Sequence, residues 1–267
     1  MTDNIILEGD SGMEEIKLIA CDLDRTLLRD DKSLSPYSRS VLARCRERGI
    51  LFFAATARPP RALERWIEHL SYDGALCHNG GVAIFRDEII WEQGIEPGLA
   101  IAFLQRLQKE FPTATLSAEI GGELYANFDA GMIWNGIAYH FTDFSEIPQK
   151  PAEKLIIGYQ SPEQVDAVMA CLPKELYCQI SDDKIIMIQP KGVEKGAALK
   201  GICGKLEIPL AQTVAFGDDW NDISLLSAAG IGIAVKNALP EVKAAAKEIC
   251  ASNEEDGPAH WLEEHLL

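Results

Sequence analysis

The sequence predicts an α/β protein: a doubly wound parallel sheet, Rossmann-like, interrupted by a second, inserted domain. Short apolar segments at residues 18–21 and 50–56 alternate with amphipathic segments, as buried parallel strands alternate with helices. Between about residues 83 and 190, paired strand-like segments flank tight turns instead. From Lys195 onward, the alternation of strands and helices returns. The pattern therefore indicates one α/β domain that is split around an α+β insertion.

These boundaries divide the chain into residues 1–82 and 191–267, which form the core domain, and residues 83–190, which form the insertion. In the first part of the core, three strands are predicted to end near Asp22, Thr56 and Asn79. A helix between the first two begins after Ser35, a favourable N-cap, and stops at Gly49, and a further helix follows Pro59-Pro60. The second part of the core carries a helix from Lys195 to Leu206, a strand at residues 213–217, a helix from Asn221 to Ala229, a strand at residues 231–235, a helix from Pro240 and a terminal helix carrying Trp261.

In the insertion, three pairs of strand-like segments flank two-residue turns at Arg86-Asp87, Gly121-Gly122 and Asp182-Asp183, as in β-hairpins. Helices are predicted from Pro97 to Lys109 and from Ser161. Neighbouring antiparallel strands combined with helices are typical of an α+β domain that packs as a separate layer.

The composition excludes several classes of function. Lys and Arg number 25 against 41 Asp and Glu, so the net charge of −16 opposes binding to the phosphate backbone of a nucleic acid. The longest apolar stretch, residues 50–57, is far shorter than the roughly 20 residues that span a bilayer, and the first residues lack the pattern of a secretory signal. We therefore expect no membrane partner and a cytoplasmic protein.

The seven cysteines contain no C-x-x-C pair and are expected to be buried thiols.

Polar residues follow the predicted strands at the edge of the sheet where α/β proteins bind ligands. Carboxylates that converge at one edge repel one another unless a cation lies between them. Carboxylate oxygens are ligands that suit Mg²⁺, whereas zinc would require His or Cys, which these loops lack. The polar segments are Asp22-Leu-Asp24-Arg-Thr26, Thr56-Ala-Arg58, Asn79-Gly-Gly81 and Gly217-Asp218-Asp219-Trp-Asn221-Asp222.

With Mg²⁺ and Lys195 beside it, an ionised Asp22 could attack phosphorus, because the cations offset the charge of the phosphate oxygens. Asp24 could protonate the leaving oxygen and later deprotonate the water that hydrolyses the aspartyl phosphate. Thr26 and Thr56 would hold phosphoryl oxygens. Lys195 opens a helix, where a cation is unfavourable by about 0.3–1 kcal/mol, so an anion is expected next to it.

Five motifs in this order, D-L-D-R-T, T-A-R, N-G-G, K-G-x-A-L and G-D-D-W-N-D, resemble those of the haloacid dehalogenase superfamily. The position of the insertion is similar to that of the Cof-type phosphatases of subfamily IIB, whose α+β cap lies between the second and third motifs. The resemblance extends from about Ile16 to the C-terminus. It implies an α/β core, an aspartyl-phosphate mechanism with Asp22 as nucleophile and Asp24 as acid and base, and Mg²⁺ as cofactor.

The resemblance also implies roles for the remaining motif residues. Mg²⁺ would be held by Asp22, the backbone carbonyl of Asp24 and Asp218, with Asp222 in support. Thr56 and Lys195 would bind phosphate, and Asn221 would orient Lys195 or the phosphate. Asn79 would lie near the substrate, and Asn253, from a segment similar to the N-D-E-D-G-V motif of the family, would approach the phosphate. Thr26 and Arg58, from the same motifs, are further candidates for binding phosphate or substrate. Arg58 could instead be a solvated or ion-paired surface residue. The chain departs from the family at Arg25 and Ala57, where Gly is usual, and this affects the backbone angles that the two loops can adopt.

The main hypothesis is a Mg²⁺-dependent phosphatase acting on a small phosphomonoester such as a sugar phosphate. Two alternatives remain open: a phosphomutase of the same superfamily, and a non-catalytic phospho-acceptor switch that resembles receiver domains. The inserted cap is expected to set specificity, with Trp134, His140 and Phe144 as candidate substrate contacts. Trp220 is expected to pack under its loop. Neither the substrate nor the oligomeric state follows from the sequence.

Overall fold

The computed structural model describes residues 15–66, 70–181 and 184–267, and within them the strands form two sheets. We call the eight-stranded sheet the core sheet and the six-stranded sheet the cap sheet. From the amino terminus, the strands are β1 (Leu18–Asp22), β2 (Leu51–Ala55), β3 (Gly74–Cys77), β4 (Val82–Phe85), β5 (Glu88–Glu92), β6 (Leu116–Ile120), β7 (Glu123–Ala126), β8 (His140–Phe141), β9 (Ala152–Gly158), β10 (Leu176–Ser181), β11 (Ile185–Pro190), β12 (Thr213–Gly217), β13 (Ile231–Val235) and β14 (Glu248–Cys250).

Eight α-helices lie between and after the strands of the described chain. Several begin as the sequence predicts: Ser35 accepts a hydrogen bond from the N–H of Ser38 at the start of the first, and Ser161 caps the fourth in the same way. The helices are α1 (Pro36–Glu47), α2 (Pro60–Trp66), α3 (Pro97–Glu110), α4 (Pro162–Cys171), α5 (Lys195–Lys205), α6 (Ile223–Ala228), α7 (Pro240–Ala245) and α8 (Gly257–Leu266).

The core sheet has the order β14-β13-β12-β1-β2-β3-β4-β5, and the strands from β14 to β3 are parallel. Successive residues of β1 point to opposite faces, and both faces are buried. Ile19 packs with α1 and α8, whereas Leu18 packs with α5, α6 and α7. Helices on both faces of a parallel sheet confirm the predicted doubly wound α/β fold.

The hairpin around Arg86-Asp87, predicted to open the insertion, belongs to the core sheet instead. β4 pairs antiparallel with β3, and β5 pairs with β4. The physical reason is the turn between β3 and β4, where His78, Asn79 and Gly80 all have positive φ and reverse the chain within three residues. The assignment of residues 83–92 to the inserted domain was therefore wrong, and we propose that the cap begins near Ile95.

The cap sheet has the order β10-β11-β9-β6-β7-β8 and is antiparallel except for the short β7–β8 pair. Helices α3 and α4 cover one of its faces through Leu104, Leu107 and Val168. The turn at Gly121-Gly122 joins β6 to β7 with positive φ at both glycines, as the sequence predicts. The last hairpin pairs β10 with β11, and its turn at residues 182–183 lies outside the described residues.

Some local features differ from the sequence-based assignment. Next to β13, the core sheet ends in a short edge strand, β14, that the sequence pattern did not predict. Helix α6 begins at Ile223, after a 3₁₀ turn at residues 220–222, rather than at Asn221. Of the seven free cysteines, all but Cys178 and Cys250 are buried. Within the described ranges, every helix is too short or too polar to cross a bilayer.

Candidate active site

The carboxyl ends of β1 and β12 bring the central acidic residues together. Asp22 is the last residue of β1 and Asp218 follows β12, which is paired directly with β1. Asp222 lies one turn further along the same loop. Each of these three residues offers a carboxylate oxygen within 4.8 Å of the others, and all three are buried. The predicted convergence of acidic side chains at this edge is therefore present in the structure.

Lys195 links two of these carboxylates. It is the first residue of α5 and is completely buried. Its Nζ donates to Oδ1 of Asp22 and to Oδ1 of Asp222, at 2.6 Å in each case. Burial alone would lower the pKa of Lys195, but the two carboxylates outweigh it and raise this pKa above the usual value. The ammonium is therefore charged. An anion was expected beside this helix-opening lysine, and the structure places both Asp22 and Asp222 there.

Asp222 also organises the loop after β12. Its Oδ2 accepts hydrogen bonds from the backbone N–H groups of Asp218 at 3.0 Å and Asp219 at 3.1 Å. A Cβ atom at Gly217 would lie 2.4 Å from Cβ of Asp222, so only glycine allows this carboxylate to fold back onto the strand end. Asp219 caps the turn through the N–H of Trp220 and lies outside the three-carboxylate cluster.

The acidic cluster carries more negative charge than the protein compensates. Three buried carboxylates face one buried ammonium, which leaves two negative charges when all groups are ionised. Burial, reinforced by the charge of Asp222, raises the pKa of Asp218 to about 6, and burial likewise raises the pKa of Asp22 above its usual range. A divalent cation that prefers oxygen ligands would offset this excess, so the donor set fits Mg²⁺.

Asp24 is turned toward two cations. Its carboxylate accepts hydrogen bonds from Arg58 through Nε at 2.9 Å and Nη2 at 2.5 Å, and it forms an ion pair with Lys32 at 2.9 Å. Burial opposes ionisation of Asp24, but the hydrogen bonds from Lys32 and Arg58 outweigh it and lower the pKa of this carboxyl. Arg58 is therefore ion-paired within the site. Lys32 was missed from the sequence, because a lysine in a loop rich in aspartate resembles a solvated residue.

The loop after β1 folds back on itself. The N–H of Leu27 donates to the carbonyl of Asp22, and the N–H of Leu28 donates to the carbonyl of Leu23. Arg25, which occupies the position where the family usually has Gly, adopts a left-handed φ of 63°. This turn carries Thr26 to Asp218, whose Oδ1 accepts from the threonine hydroxyl at 3.1 Å. Thr26 thus contacts a candidate metal ligand.

Three other predicted residues are joined by hydrogen bonds between loops. The hydroxyl of Thr56 accepts from the N–H of Arg58 at 3.1 Å, and the carbonyl of Thr56 accepts from the N–H of Asn79 at 3.0 Å. Nδ2 of Asn221 donates to Oδ1 of Asn79 at 3.0 Å. The ends of β2 and β3 are therefore tied to the loop that carries Asp218 and Asp222.

Asn253 lies against the loop after β1 rather than among the contacts of the acidic cluster. Its Nδ2 donates to the carbonyl of Leu28 and to Oδ1 of Asp30, both at 3.1 Å, and its own N–H donates to Asn237. This side chain supports the loop that holds Asp24 and Thr26. The predicted contact of Asn253 with phosphate stays a prediction.

The prediction that Phe144 of the cap contacts substrate was wrong. Its side chain is completely buried in the apolar cluster between the cap sheet and its helices, because a large ring gains most from burial there. His140 is exposed and contacts Glu123, and Trp134 packs near Leu124. The expectation that Trp220 packs under its loop was also wrong, since 59% of this residue is exposed.

Comparison with known proteins identifies the family of the chain. The family model of haloacid dehalogenase-like hydrolases matches residues 19–262. The 5-amino-6-(5-phospho-D-ribitylamino)uracil phosphatase YitU of Bacillus subtilis is 25% identical over 264 residues, which cover 93% of this chain and 97% of the relative. The HMP-PP phosphatase of Cronobacter sakazakii is 27% identical over 237 residues, or 85% and 87% of the two chains.

The fold is similar to that of solved structures. BT1666 from Bacteroides thetaiotaomicron, described among phosphatases of the haloalkanoate (HAD) superfamily, superposes with a TM-score of 0.83 at 24% identity and covers 98% of this chain and 99% of its own. These comparisons confirm three predictions from the sequence: the haloacid dehalogenase superfamily, the α/β fold class and the enzyme class, a phosphatase. With a family model matched over almost its whole length and the acidic cluster at the strand ends, the chain belongs to the haloacid dehalogenase-like hydrolases.

Proposed function

We propose that this protein is a Mg²⁺-dependent phosphatase that hydrolyses a small phosphomonoester, such as a sugar phosphate, through a phosphoryl group carried on Asp22. The observation that supports this most is the buried ammonium of Lys195, which lies 2.6 Å from Asp22 within a cluster of three carboxylates. Two relatives are named for the dephosphorylation of small molecules. The net charge of −16 is consistent with a partner of this kind rather than a nucleic acid.

Mg²⁺ would be held by carboxylate oxygens of Asp22 and Asp218 and by the backbone carbonyl of Asp24, with Asp222 in support. When bound, it offsets the negative charge of the phosphate oxygens. Asp222 has both oxygens engaged, one by Lys195 and the other by two backbone N–H groups. Its role is therefore to keep Lys195 and the Asp218 loop in place beside the ion.

Asp22 is the nucleophile in this proposal. Lys195 engages Oδ1, so Oδ2 is the oxygen that attacks. The bond between Oδ2 and phosphorus forms as the bond between phosphorus and the leaving oxygen breaks. Lys195 stays within reach of the transferred group, and the Thr56 hydroxyl donates to one of its oxygens. Water then attacks phosphorus, restores the carboxylate of Asp22 and releases inorganic phosphate.

Asp24 would move the protons of both steps. Its two cationic neighbours keep it ionised, which suits the second step, where it accepts a proton from the attacking water. In the first step it must instead take up a proton from solvent and donate that proton to the leaving oxygen. We infer that substrate draws Arg58 or Lys32 away from Asp24, because both cations can pair with an incoming phosphate.

The test is phosphate release from a broad panel of phosphomonoesters, measured with and without Mg²⁺. We expect turnover of at least one sugar phosphate, nucleotide or cofactor phosphate that requires Mg²⁺. Asp22→Asn is expected to abolish turnover while circular dichroism is unchanged. Asp219→Asn is the matched control: this residue lies on the same loop edge, and Asn can cap the N–H of Trp220 as Asp does.

Three results would contradict the proposal. Folded wild-type protein that releases no phosphate from any compound would exclude a phosphatase. Turnover that depends on a bisphosphate activator would indicate the phosphomutase alternative. A phosphorylated protein that persists for hours would indicate the phospho-acceptor switch.

A further inference from the structure

Three polar side chains form a row on the face of the cap sheet opposite its helices. Glu119 and Lys154 are directly paired between β6 and β9, and Gln189 follows on β11, the next strand. The neighbouring residues on these strands, including Leu155 and Ile188, point the other way into the apolar interior of the cap. We call Glu119, Lys154 and Gln189 the junction row. All three are at most 6% exposed.

Each member of the junction row contacts a different residue of the core domain. Glu119 accepts two hydrogen bonds from Arg61, at 2.6 and 2.8 Å. Gln189 donates to the carbonyl of His78 at 2.8 Å.

The third contact joins Lys154 to the loop that follows β2, because its Nζ donates to the carbonyl of Ala57 at 3.2 Å. Ala57 lies between Thr56 and Arg58, and His78 precedes Asn79. The junction row therefore lies on the two loops that carry predicted substrate-binding residues.

The contact of Lys154 reaches Thr56 through a single peptide unit. The carbonyl of Ala57, which accepts from Lys154, and the N–H of Arg58 belong to the same planar peptide. That N–H donates to the hydroxyl oxygen of Thr56 at 3.1 Å. Because a planar trans peptide holds its C=O and N–H in fixed, opposite directions, fixing the carbonyl also fixes the N–H that orients the threonine side chain.

Burying the ammonium group of a lysine costs free energy unless nearby groups compensate for the lost hydration. Burial lowers the pKa of Lys154, and the nearby carboxylate of Glu119 counters that effect. A hydrogen bond from an ammonium to a carbonyl is stronger than one between neutral groups. The position thus combines a strong donor with a backbone atom one residue from the phosphate-binding hydroxyl.

We propose that Lys154 is a positioning residue for phosphate binding: from the cap, it fixes the Ala57–Arg58 peptide and thereby aims the hydroxyl of Thr56. This inference rests on the proposed phosphatase function. It implies that the phosphate-binding part of the site is complete only while the cap sheet lies against the core, as in this structure. A substrate bound under the cap would then meet an ordered Thr56, whereas an open cap would release the peptide.

The first experiment measures binding of inorganic phosphate by calorimetry with Mg²⁺ present, and kcat/KM with p-nitrophenyl phosphate. Lys154→Met keeps most of the side-chain volume but removes the donor, and we expect both quantities to fall about tenfold, as for the loss of one charged hydrogen bond. Lys154→Arg should recover most of the loss. Arg106→Met is the matched control, because Arg106 also donates to a carbonyl, that of Cys171, but entirely within the cap.

The second experiment distinguishes positioning from a general structural role. Thr56→Val removes the hydroxyl, so Lys154→Met should cause little further loss of phosphate affinity in that background. Fully additive losses would overturn the inference, as would wild-type values in a folded Lys154→Met protein. If Lys154→Met does not fold, Lys154→Gln takes its place in the cycle, because its amide donates but reaches less far.

The outcome for Lys154 is separable from that for the proposed function. Wild-type protein that turns over no phosphomonoester would contradict the function itself. Wild-type protein that is active, with Lys154→Met equally active and equally able to bind phosphate, would contradict only the role of Lys154.

Discussion

The Nζ atom of Lys195 lies 2.6 Å from Oδ1 of Asp22, although 173 positions separate the two residues in the chain. Neither residue is free to turn toward solvent, since Lys195 is completely buried and Asp22 is 6% exposed. A charged hydrogen bond in this setting holds the nucleophile in one orientation. It also leaves the second oxygen of Asp22 as the one able to reach a substrate, and the consequences of this pair can be tested.

Replacing Lys195 by Met should strongly destabilise the protein. The substitution leaves Asp22 and Asp222 buried without their cation, and breaking a buried pair in this way costs about 3–5 kcal/mol. Urea unfolding without Mg²⁺ measures the loss. Lys200→Met, on an exposed position of the same helix, is the control and should change stability little. An equal, small effect of both substitutions would show that the buried ion pairs are not important for stability.

Replacing Thr26 by Val should weaken Mg²⁺ binding without abolishing it. The Thr26 hydroxyl donates to Oδ1 of Asp218, and the loss of a hydrogen bond to a metal ligand typically lowers affinity about 10- to 100-fold. Calorimetric titration with MgCl₂ measures the change. Thr213→Val removes a hydroxyl bonded at the other end of β12 and should leave Mg²⁺ affinity unchanged. Unaltered affinity in Thr26→Val would separate Thr26 from the metal site.

Replacing Arg25 by Gly should stabilise the protein slightly. Arg25 has a φ of 63°, which is strained for a residue with a Cβ atom. The relief exceeds the added entropy of glycine in the unfolded chain, so we expect a gain of about 0.5–1 kcal/mol in urea unfolding. Lys200→Gly, in the middle of a helix, should instead destabilise by about 1 kcal/mol. A loss of stability in both variants would mean that the Arg25 side chain contributes more than its backbone strain costs.

The ion pair between Asp73 and Arg46 predicts a pH dependence of stability. Asp73 accepts two hydrogen bonds from Arg46 and one from the N–H of Phe52, all at 2.9 Å. Burial opposes ionisation of Asp73, but these bonds outweigh it and lower the pKa of its carboxyl. A lowered pKa in the folded state stabilises above the unfolded value of about 3.9, and this contribution disappears as the pH falls through the folded pKa.

Asp73→Asn should therefore lower the free energy of unfolding by about 1–2 kcal/mol at pH 7, and the difference from wild type should shrink below about pH 4. Urea unfolding at pH 7 and pH 3 measures both values. Asp166→Asn, at an exposed position of α4, should show no such dependence. A difference that stays constant from pH 7 to pH 3 would contradict the role assigned to the charge.

Much of the core domain follows from local patterns. Strands such as β1 and β12 are buried on both faces, which produces the apolar runs that mark them in the sequence. The hairpin of β4 and β5 was recognised as a hairpin but assigned to the wrong sheet. Alternation and turn residues specify that two strands pair with each other, whereas the third strand beside them is chosen by packing and by the turn after β3.

The site shows the same division between local and distant information. Motifs at strand ends were sufficient to predict that Asp22, Lys195, Asp218 and Asp222 lie close together, because parallel strands end at a common edge. Lys32 beside Asp24 and Lys154 beside Ala57 carry no local signal. Each is a lysine whose partner depends on how a loop or a whole sheet is oriented.

The order of apolar and polar residues along the chain was therefore enough to establish the alternating strands and helices, the insertion and the acidic residues that meet at the sheet edge. Only the tertiary structure decided which sheet β4 and β5 join, which cations favour the ionised form of Asp24, and that the cap contacts the Thr56 loop. The physical reason is range: periodicity and turn chemistry act over a few residues, whereas these contacts join side chains that only the packed domains bring together.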